Sequence, residues 1–189
     1  STIIYGTQNQ KNHPICTPAA IHGVKRMLKG NLNSKKDIDA TLEEGLNTYN
    51  QIKTNGIPSV SDILRDPEET QQQSPLIPEM RIKKNNNNIP IQVEKVENTQ
   101  LEKTKYDKIK NAMDELFTTT TTTYPIGAIL TTEGKSYGIV ASSPDKIELF
   151  DSHGLNRGPA YKSTFKSIDE CARFIVNKGL IYSAVSYTH

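Results

Sequence analysis

A thiol, an imidazole and a carboxylate stand out in this chain because together they could carry out nucleophilic catalysis. Cys16 lies where a polar loop gives way to a helical pattern, and Asp151 and His153 lie at the end of a β-prone run far downstream. A thiolate attacks carbonyl carbons, an imidazole takes up and returns the proton, and a carboxylate orients the imidazole. The sequence contains one plausible set of these groups, which predicts a cysteine hydrolase.

The position of Cys16 favours a reactive thiol. Unpaired backbone N–H groups at the start of a helix stabilise a thiolate, lower its pKa and can help bind an oxyanion. The alternative is a small hydrophobic side chain in the core, which is the usual role of a free cysteine. Cys171, the second of the two cysteines, lies beside apolar residues in a helical pattern and is expected to pack in the core. So few cysteines favour a reduced, intracellular protein.

The second half of the candidate site is the tripeptide Asp151-Ser152-His153. Strand side chains alternate, so Asp151 and His153 point to the same side, with backbones about 7 Å apart. The carboxylate can then fix the imidazole tautomer and leave the other ring nitrogen for the thiol. Ser152 points the opposite way. The alternative is an ordinary surface Asp-x-His at the end of a strand. Three other histidines compete poorly for the role of base: His13, His22 and His189.

An oxyanion site usually needs a side-chain donor besides the backbone, and Gln10 is the best candidate. It lies six residues before Cys16, in the loop that enters the helix. An amide in such a loop can reach over the nucleophile. Gln8 and Asn9 are close rivals, and simple solvation of a polar loop is the alternative for all three.

Composition and charge exclude several classes of protein. The chain has 189 residues, 34% of them hydrophobic, which suits a single catalytic domain with a polar insertion at about 66–98. A net charge of +2, with no basic stripe, argues against a nucleic-acid binder. We expect no membrane span, no metal site and no cofactor, since long apolar runs, zinc-ligand spacing and Gly-rich phosphate loops are absent. The first residue is Ser and no signal peptide is visible, which suggests a processed start or a part of a larger protein.

The order of the predicted elements indicates an α+β fold, with helices first and then an antiparallel meander. The predicted elements are a strand at 2–5, helices at 16–29 and 38–53 (the second capped by Asp37), a short helix from 59, an edge strand at 89–93, a helix at 99–117, a hairpin at 128–141, a strand at 146–150, a helix at 168–178 capped by Ser167 and a strand at 180–187.

Two stretches of the sequence match a family pattern. GTQNQ at 6–10 precedes the helix of Cys16, and LFDSHG at 149–154 precedes a loop that holds Arg157 and Gly158. Together they resemble the herpesvirus large-tegument-protein deubiquitinases, and more closely the tegument-like deubiquitinases found outside herpesviruses, over roughly residues 2–30 and 124–187. The resemblance implies a papain-like cysteine protease fold, with an N-terminal nucleophile helix packed on an antiparallel sheet. It further implies Cys16 as nucleophile, His153 as base, Asp151 as orienter and Gln10 as oxyanion donor.

The resemblance also implies a substrate class, namely ubiquitin or polyubiquitin conjugates cut after the C-terminal glycine of ubiquitin. The thin tail would lie in a groove between the nucleophile helix and the hairpin at 126–139, and its basic residues would meet acidic partners such as Asp62 and Asp66. Two alternatives stay open from the residues themselves. One is a cysteine protease or acyltransferase with a different substrate, and the other is a ubiquitin-binding module without catalysis.

Overall fold

The computed structural model describes residues 2–11, 13–54, 79–81, 98–118, 122–132 and 134–181. Its helices and strands, in chain order, are β1 (Thr2–Tyr5), α1 (Cys16–Leu28), α2 (Lys35–Thr54), β2 (Glu79–Arg81), α3 (Asn98–Phe117), β3 (Ile126–Thr132), β4 (Lys135–Ser143), β5 (Lys146–Asp151), β6 (Tyr161–Phe165) and α4 (Ile168–Asn177). The expected short helix from 59, the edge strand at 89–93 and most of the insertion at 66–98 lie outside the described residues.

Within the described ranges, the strands form one sheet in the order β1-β6-β5-β4-β3-β2. The four pairs β1–β6, β6–β5, β5–β4 and β4–β3 are antiparallel, as the predicted antiparallel meander requires. The short β2 adds a parallel edge strand, with Met80 opposite Leu130 of β3. The α+β class expected from the sequence is confirmed.

The sheet is covered by helices on both faces, because successive strand residues point to opposite sides. In β3, Ile129 belongs to the apolar cluster of α1 and α2. Its neighbour Leu130 belongs to the cluster of α3 and α4. The same alternation in β4 assigns Val140 to the first cluster and Ile139 to the second. The result is a three-layer arrangement with α1 and α2 on one side of the sheet and α3 and α4 on the other.

The helix α1 lies close to the sheet at Gly138. A Cβ added to Gly138 of β4 would stand 2.9 Å from the backbone oxygen of Ala20, so this approach requires glycine. On its outer side, α1 is tied to α2 by the Arg26 guanidinium, whose Nε and Nη2 donate to the two Glu44 oxygens at 2.8 and 2.9 Å. These contacts fix the helix that begins at Cys16.

Three expectations from the sequence need correction. The helix α2 begins at Lys35 rather than 38, and its cap is Ser34, whose Oγ accepts from the Asp37 N–H at 3.1 Å, so Asp37 lies inside the first turn. The strand β6 was not expected at all. The final strand expected at 180–187 does not begin at Leu180 or Ile181, and its remainder lies outside the described residues.

The helix α4 has the cap that the sequence predicts, with Ser167 Oγ accepting from the Glu170 N–H at 3.1 Å. None of the helices in the described ranges combines the length and hydrophobicity that a membrane span requires.

Candidate active site

Cys16 is the first residue of α1 and is partly exposed. The residue before it, Ile15, offers no side-chain acceptor to the first backbone N–H groups, and no acidic residue lies in the first turn. The positive end of the helix dipole is therefore directed at the thiol without a competing carboxylate. Pro18 sits in the same turn, where a missing N–H costs no intrahelical hydrogen bond.

Folding brings Cys16 to His153, although 136 residues separate them in the chain. Burial alone would raise the pKa of the Cys16 thiol, but the hydrogen bond and positive charge of His153 act against it. The backbone N–H of Ser136 and the Thr17 hydroxyl act in the same direction. The net effect is a lowered pKa, which favours the thiolate form that nucleophilic attack requires.

Asp151 and His153 are in direct contact at the end of β5. Asp151 Oδ1 accepts from the His153 backbone N–H at 2.8 Å and lies 2.9 Å from its Nδ1. Burial alone would lower the pKa of His153, but the hydrogen bonds and charges of Asp151 and Cys16 raise it to about 9. Since the Asp151 side chain is 0% exposed, its charge acts on the imidazole without screening by water. The arrangement favours an imidazolium beside a thiolate.

Two tyrosines support this pair. The ring of Tyr137 lies against the imidazole of His153, with centroids 5.4 Å apart, and its hydroxyl donates to the Leu180 carbonyl at 2.6 Å. Tyr161 stands opposite Asp151 across β5 and β6. Its hydroxyl and Asp151 Oδ2 are both buried without a hydrogen bond of ordinary geometry among the described residues. Burial, and next the charge of Asp151, raise the pKa of Tyr161, so this neighbour of the carboxylate stays a neutral potential donor.

The loop before α1 is fastened to the residue between Asp151 and His153. The Gln10 backbone N–H donates to the Ser152 carbonyl at 3.0 Å, and the Ser152 hydroxyl donates to Gln10 Oε1 at 2.5 Å. The Gln10 amide nitrogen lies at the other end of the group and donates to the His13 carbonyl at 3.3 Å. The hydrogen bond from Ser152 thus orients the Gln10 amide, with Oε1 toward Ser152 and the amide nitrogen away from Ser152.

The two rivals of Gln10 have other contacts. The Asn9 amide nitrogen donates to the carbonyls of Arg157 and Gly158 at 3.2 and 2.8 Å. The Gln8 carbonyl accepts from the Ala160 N–H at 2.8 Å, and the Gln8 side chain is exposed. Of the three amides, Gln10 is the one whose side chain contacts the Asp-Ser-His segment.

The chain leaves the site through a tight loop that depends on Gly154. This residue has φ 79°, and a Cβ there would stand 2.0 Å from the Gly158 carbonyl oxygen. A side chain at this position would collide with backbone, so the turn after His153 requires glycine. The turn of the β3–β4 hairpin closes the other side, with the Gly134 carbonyl oxygen 3.6 Å from Cys16 Sγ.

The structure therefore brings together Cys16, His153 and Asp151, and it joins Gln10 to them through Ser152. The suggested substrate-binding residues Asp62 and Asp66 lie outside the described residues. Cys171 is 0% exposed, as expected, and burial raises its pKa strongly.

Of the other two described histidines, His13 meets Gln10 through its backbone N–H and carbonyl. His13 is exposed, and His22 Nε2 lies 2.7 Å from the Thr48 hydroxyl. His189 lies outside the described residues. Among the described residues, no three His, Cys, Asp or Glu side chains are arranged to hold a metal ion.

Sequence reasoning missed four residues that surround the thiol and the imidazole: Thr17, Ser136, Tyr137 and Tyr161. Thr17 is the neighbour of Cys16 in the chain, whereas Ser136, Tyr137 and Tyr161 reach the site through strand pairing, for which no local motif exists. The strand pattern in the sequence places Tyr137 in the hairpin, but it does not predict that the tyrosine ring packs against the imidazole of His153.

The sequence matches no protein-family profile and no curated protein. Its fold is similar to that of the ubiquitin-specific protease encoded by a murine cytomegalovirus tegument protein, solved in complex with a ubiquitin-based suicide substrate. The TM-score is 0.52 at 10% sequence identity, over 93% of this chain and 78% of the other. At this identity the similarity concerns the fold. The chain has a papain-like α+β fold, with an N-terminal helix that carries Cys16 packed on an antiparallel sheet.

Proposed function

We propose that the protein is a cysteine-dependent deubiquitinase that hydrolyses peptide or isopeptide bonds after the C-terminal glycine of ubiquitin. The observation that carries this proposal is the contact of Cys16, His153 and Asp151 at the start of α1 and the end of β5. The fold similarity to a protease that acts on ubiquitin supports the choice of substrate. The resemblance of the sequence to tegument-type deubiquitinases points the same way, and ubiquitin conjugates imply an intracellular site of action.

The acylation step follows from the positions of the three groups. The Cys16 thiolate attacks the carbonyl carbon of the terminal glycine, and the negative charge moves to the carbonyl oxygen. The backbone N–H of Cys16 and the amide of Gln10 are the proposed donors to this oxygen. His153 then gives its proton to the leaving lysine amine, and the C–N bond breaks to leave a thioester.

Deacylation uses the same groups in reverse. His153, now neutral, removes a proton from a water molecule, whose oxygen attacks the thioester carbonyl. The sulfur leaves as the thiolate and the ubiquitin carboxylate is released. Asp151 stabilises the imidazolium and keeps its Nδ1 side occupied, so that Nε2 is directed at the reacting atoms.

The placement of the ubiquitin tail remains part of the proposal. We expect it between α1 and the β3–β4 hairpin, where the Gly134 carbonyl oxygen lies close to Cys16 Sγ. Asp62 and Asp66 remain the proposed partners of basic residues in the tail.

A ubiquitin that carries a C-terminal electrophile tests the proposal directly. We expect a covalent adduct with the wild-type protein that disappears in Cys16→Ala and persists in the matched variant Cys171→Ala. The adduct is read by mass spectrometry. Rapid alkylation of Cys16 by a small reagent without a ubiquitin adduct would favour a cysteine protease or acyltransferase with a different substrate. Ubiquitin binding without an adduct would favour a non-catalytic binding module.

A further inference from the structure

A cavity of about 680 Å³ lies against the candidate site, and His153 and Asp151 form part of its wall. Four side chains around it carry positive charge: Lys11, Lys135, Arg157 and Lys178. All four are exposed. We call this cavity, with these four residues, the cationic cleft.

The charge of the cationic cleft is not offset within the described part of the chain. None of its four cations makes an ion pair with a described residue. The acidic residue in the wall is Asp151, which is fully buried and hydrogen-bonded to His153. A second cavity, on the other side of the Gln10–Lys11 turn, carries Asp39 and Glu43. Lys11 lines both cavities, whereas Lys135, Arg157 and Lys178 line only the one beside His153.

The backbones of two of the cationic residues are held by one side chain. Lys11 and Arg157 both have left-handed backbone conformations, with φ 53° and 64°, which residues other than glycine adopt at an energetic cost. Asn9 Oδ1 accepts from the Lys11 N–H at 2.8 Å, and the Asn9 amide nitrogen donates to the Arg157 carbonyl at 3.2 Å. Asn9 thereby joins the loop before α1 to the loop after His153. This connection sets the backbone positions from which Lys11 and Arg157 extend at the cationic cleft.

The chemistry of the proposed reaction identifies which part of a substrate meets this side. The imidazole that protonates the leaving amine must face that amine, so the chain that carries the acceptor lysine passes along His153. The cationic cleft opens on the same imidazole. We infer that the cationic cleft binds the leaving-group side of the conjugate and selects acidic residues next to the acceptor lysine. This inference rests on the proposed deubiquitinase activity and names the class of acceptor that is cut fastest.

Three ubiquitin–peptide isopeptides test the inference. They share the ubiquitin and the acceptor lysine, and the flanking residues are Asp and Glu, Asn and Gln, or Lys. We expect kcat/KM to be about five- to tenfold higher for the acidic than for the neutral peptide, as several exposed charge pairs would give, and lowest for the basic one. The preference should shrink as salt is raised, because the pairs are exposed to water.

Variants locate the preference in the cleft. In the double variant Arg157→Asn, Lys178→Gln, which removes two of the four cations, the ratio of the acidic to the neutral rate should fall toward one, and Asn is chosen because it tolerates a left-handed φ. The control is Lys146→Gln, which removes an exposed lysine at the other end of β5 and should keep the wild-type ratio.

Equal rates on the three peptides, or a preference as large in the double variant as in the wild type, would overturn the inference. The electrophilic ubiquitin distinguishes a failure of this inference from a failure of the proposed deubiquitinase activity. An adduct at Cys16 with equal peptide rates rejects the acceptor preference alone, and the absence of any adduct rejects the proposed activity together with the inference.

Discussion

At the scale of the residue, the contact of Cys16 with His153 has opposite consequences for the two groups. The pKa of Cys16 is lowered and that of His153 is raised to about 9. As pH rises, the thiolate forms first and the imidazolium loses its proton last. Between the two pKa values the nucleophile is charged and the general acid still holds the proton that the leaving amine needs.

This order predicts different pH profiles for alkylation and for turnover. Alkylation of Cys16 should rise through its lowered pKa and stay high, because a thiolate is nucleophilic on either side of the His153 titration. Turnover of a ubiquitin amide substrate should rise with alkylation and then fall above about pH 9, where His153 loses its proton. The checks are the rate of iodoacetamide modification and kcat/KM, both measured between pH 5 and 10 on the same preparation.

The variant Asp151→Asn provides the control for this assignment. It removes the negative charge that helps to hold the proton on His153, so the falling limb of the turnover profile should move to lower pH. An unchanged falling limb in Asp151→Asn would contradict the assignment of that limb to His153. The raised pKa of His153 also makes the stability of the folded state depend on pH. Protonation of His153 stabilises the folded state fully below about pH 6.5, its ordinary pKa, and this contribution is lost as pH rises through about 9.

At the scale of the element, the loop before α1 is positioned by β5 and β6 rather than by its own sequence. Its backbone pairs with Ser152 through Gln10, and with Ala160 through Gly6 and Gln8. The hydrogen bond from Ser152 to Gln10 Oε1 then orients the amide that is proposed to bind the oxyanion. Ser152 is accordingly a positioning residue for the proposed reaction.

A double-mutant cycle can test this role of Ser152. The variant Ser152→Ala should lower kcat about three- to tenfold with little change in KM, because it frees the Gln10 amide by removing one hydrogen bond. The variant Gln10→Ala should lower kcat at least as far, and the double variant should be no slower than Gln10→Ala alone. Independent, additive losses would mean that Ser152 acts without Gln10.

The elements that sequence reasoning predicted are those with a local signature. The spacing of apolar residues in α1, the hairpin of β3 and β4, and the Ser167 cap of α4 are all readable from neighbours in the chain. The strand β6 lacks such a signature, since its buried Lys162 forms an ion pair with Glu148 at 2.7 Å and resembles a surface residue in sequence. Asp151 and His153 could be paired from strand alternation, whereas the contact of Ser152 with Gln10 spans 142 residues.

At the scale of the molecule, the two halves of the site belong to different layers. Cys16 is carried by α1, which packs on one face of the sheet, and His153 follows a strand of the sheet itself. Their relative position therefore depends on the apolar contact between α1 and that face. Helices α3 and α4 cover the opposite face and should contribute to stability without setting this position.

Adjacent residues of β3 separate these two contributions. Ile129 and Leu130 are 0% and 1% exposed and belong to the clusters on opposite faces. Truncation of either to Ala should reduce the free energy of unfolding by about 2–5 kcal/mol, since each leaves a cavity of similar size. We expect Ile129→Ala alone to slow alkylation of Cys16 under conditions where both variants are folded, because its cavity lies beneath α1 and lets the helix shift from His153. Urea unfolding gives the first quantity and iodoacetamide kinetics the second, and equal slowing in Leu130→Ala would show that the distance between the thiol and the imidazole depends on the whole core.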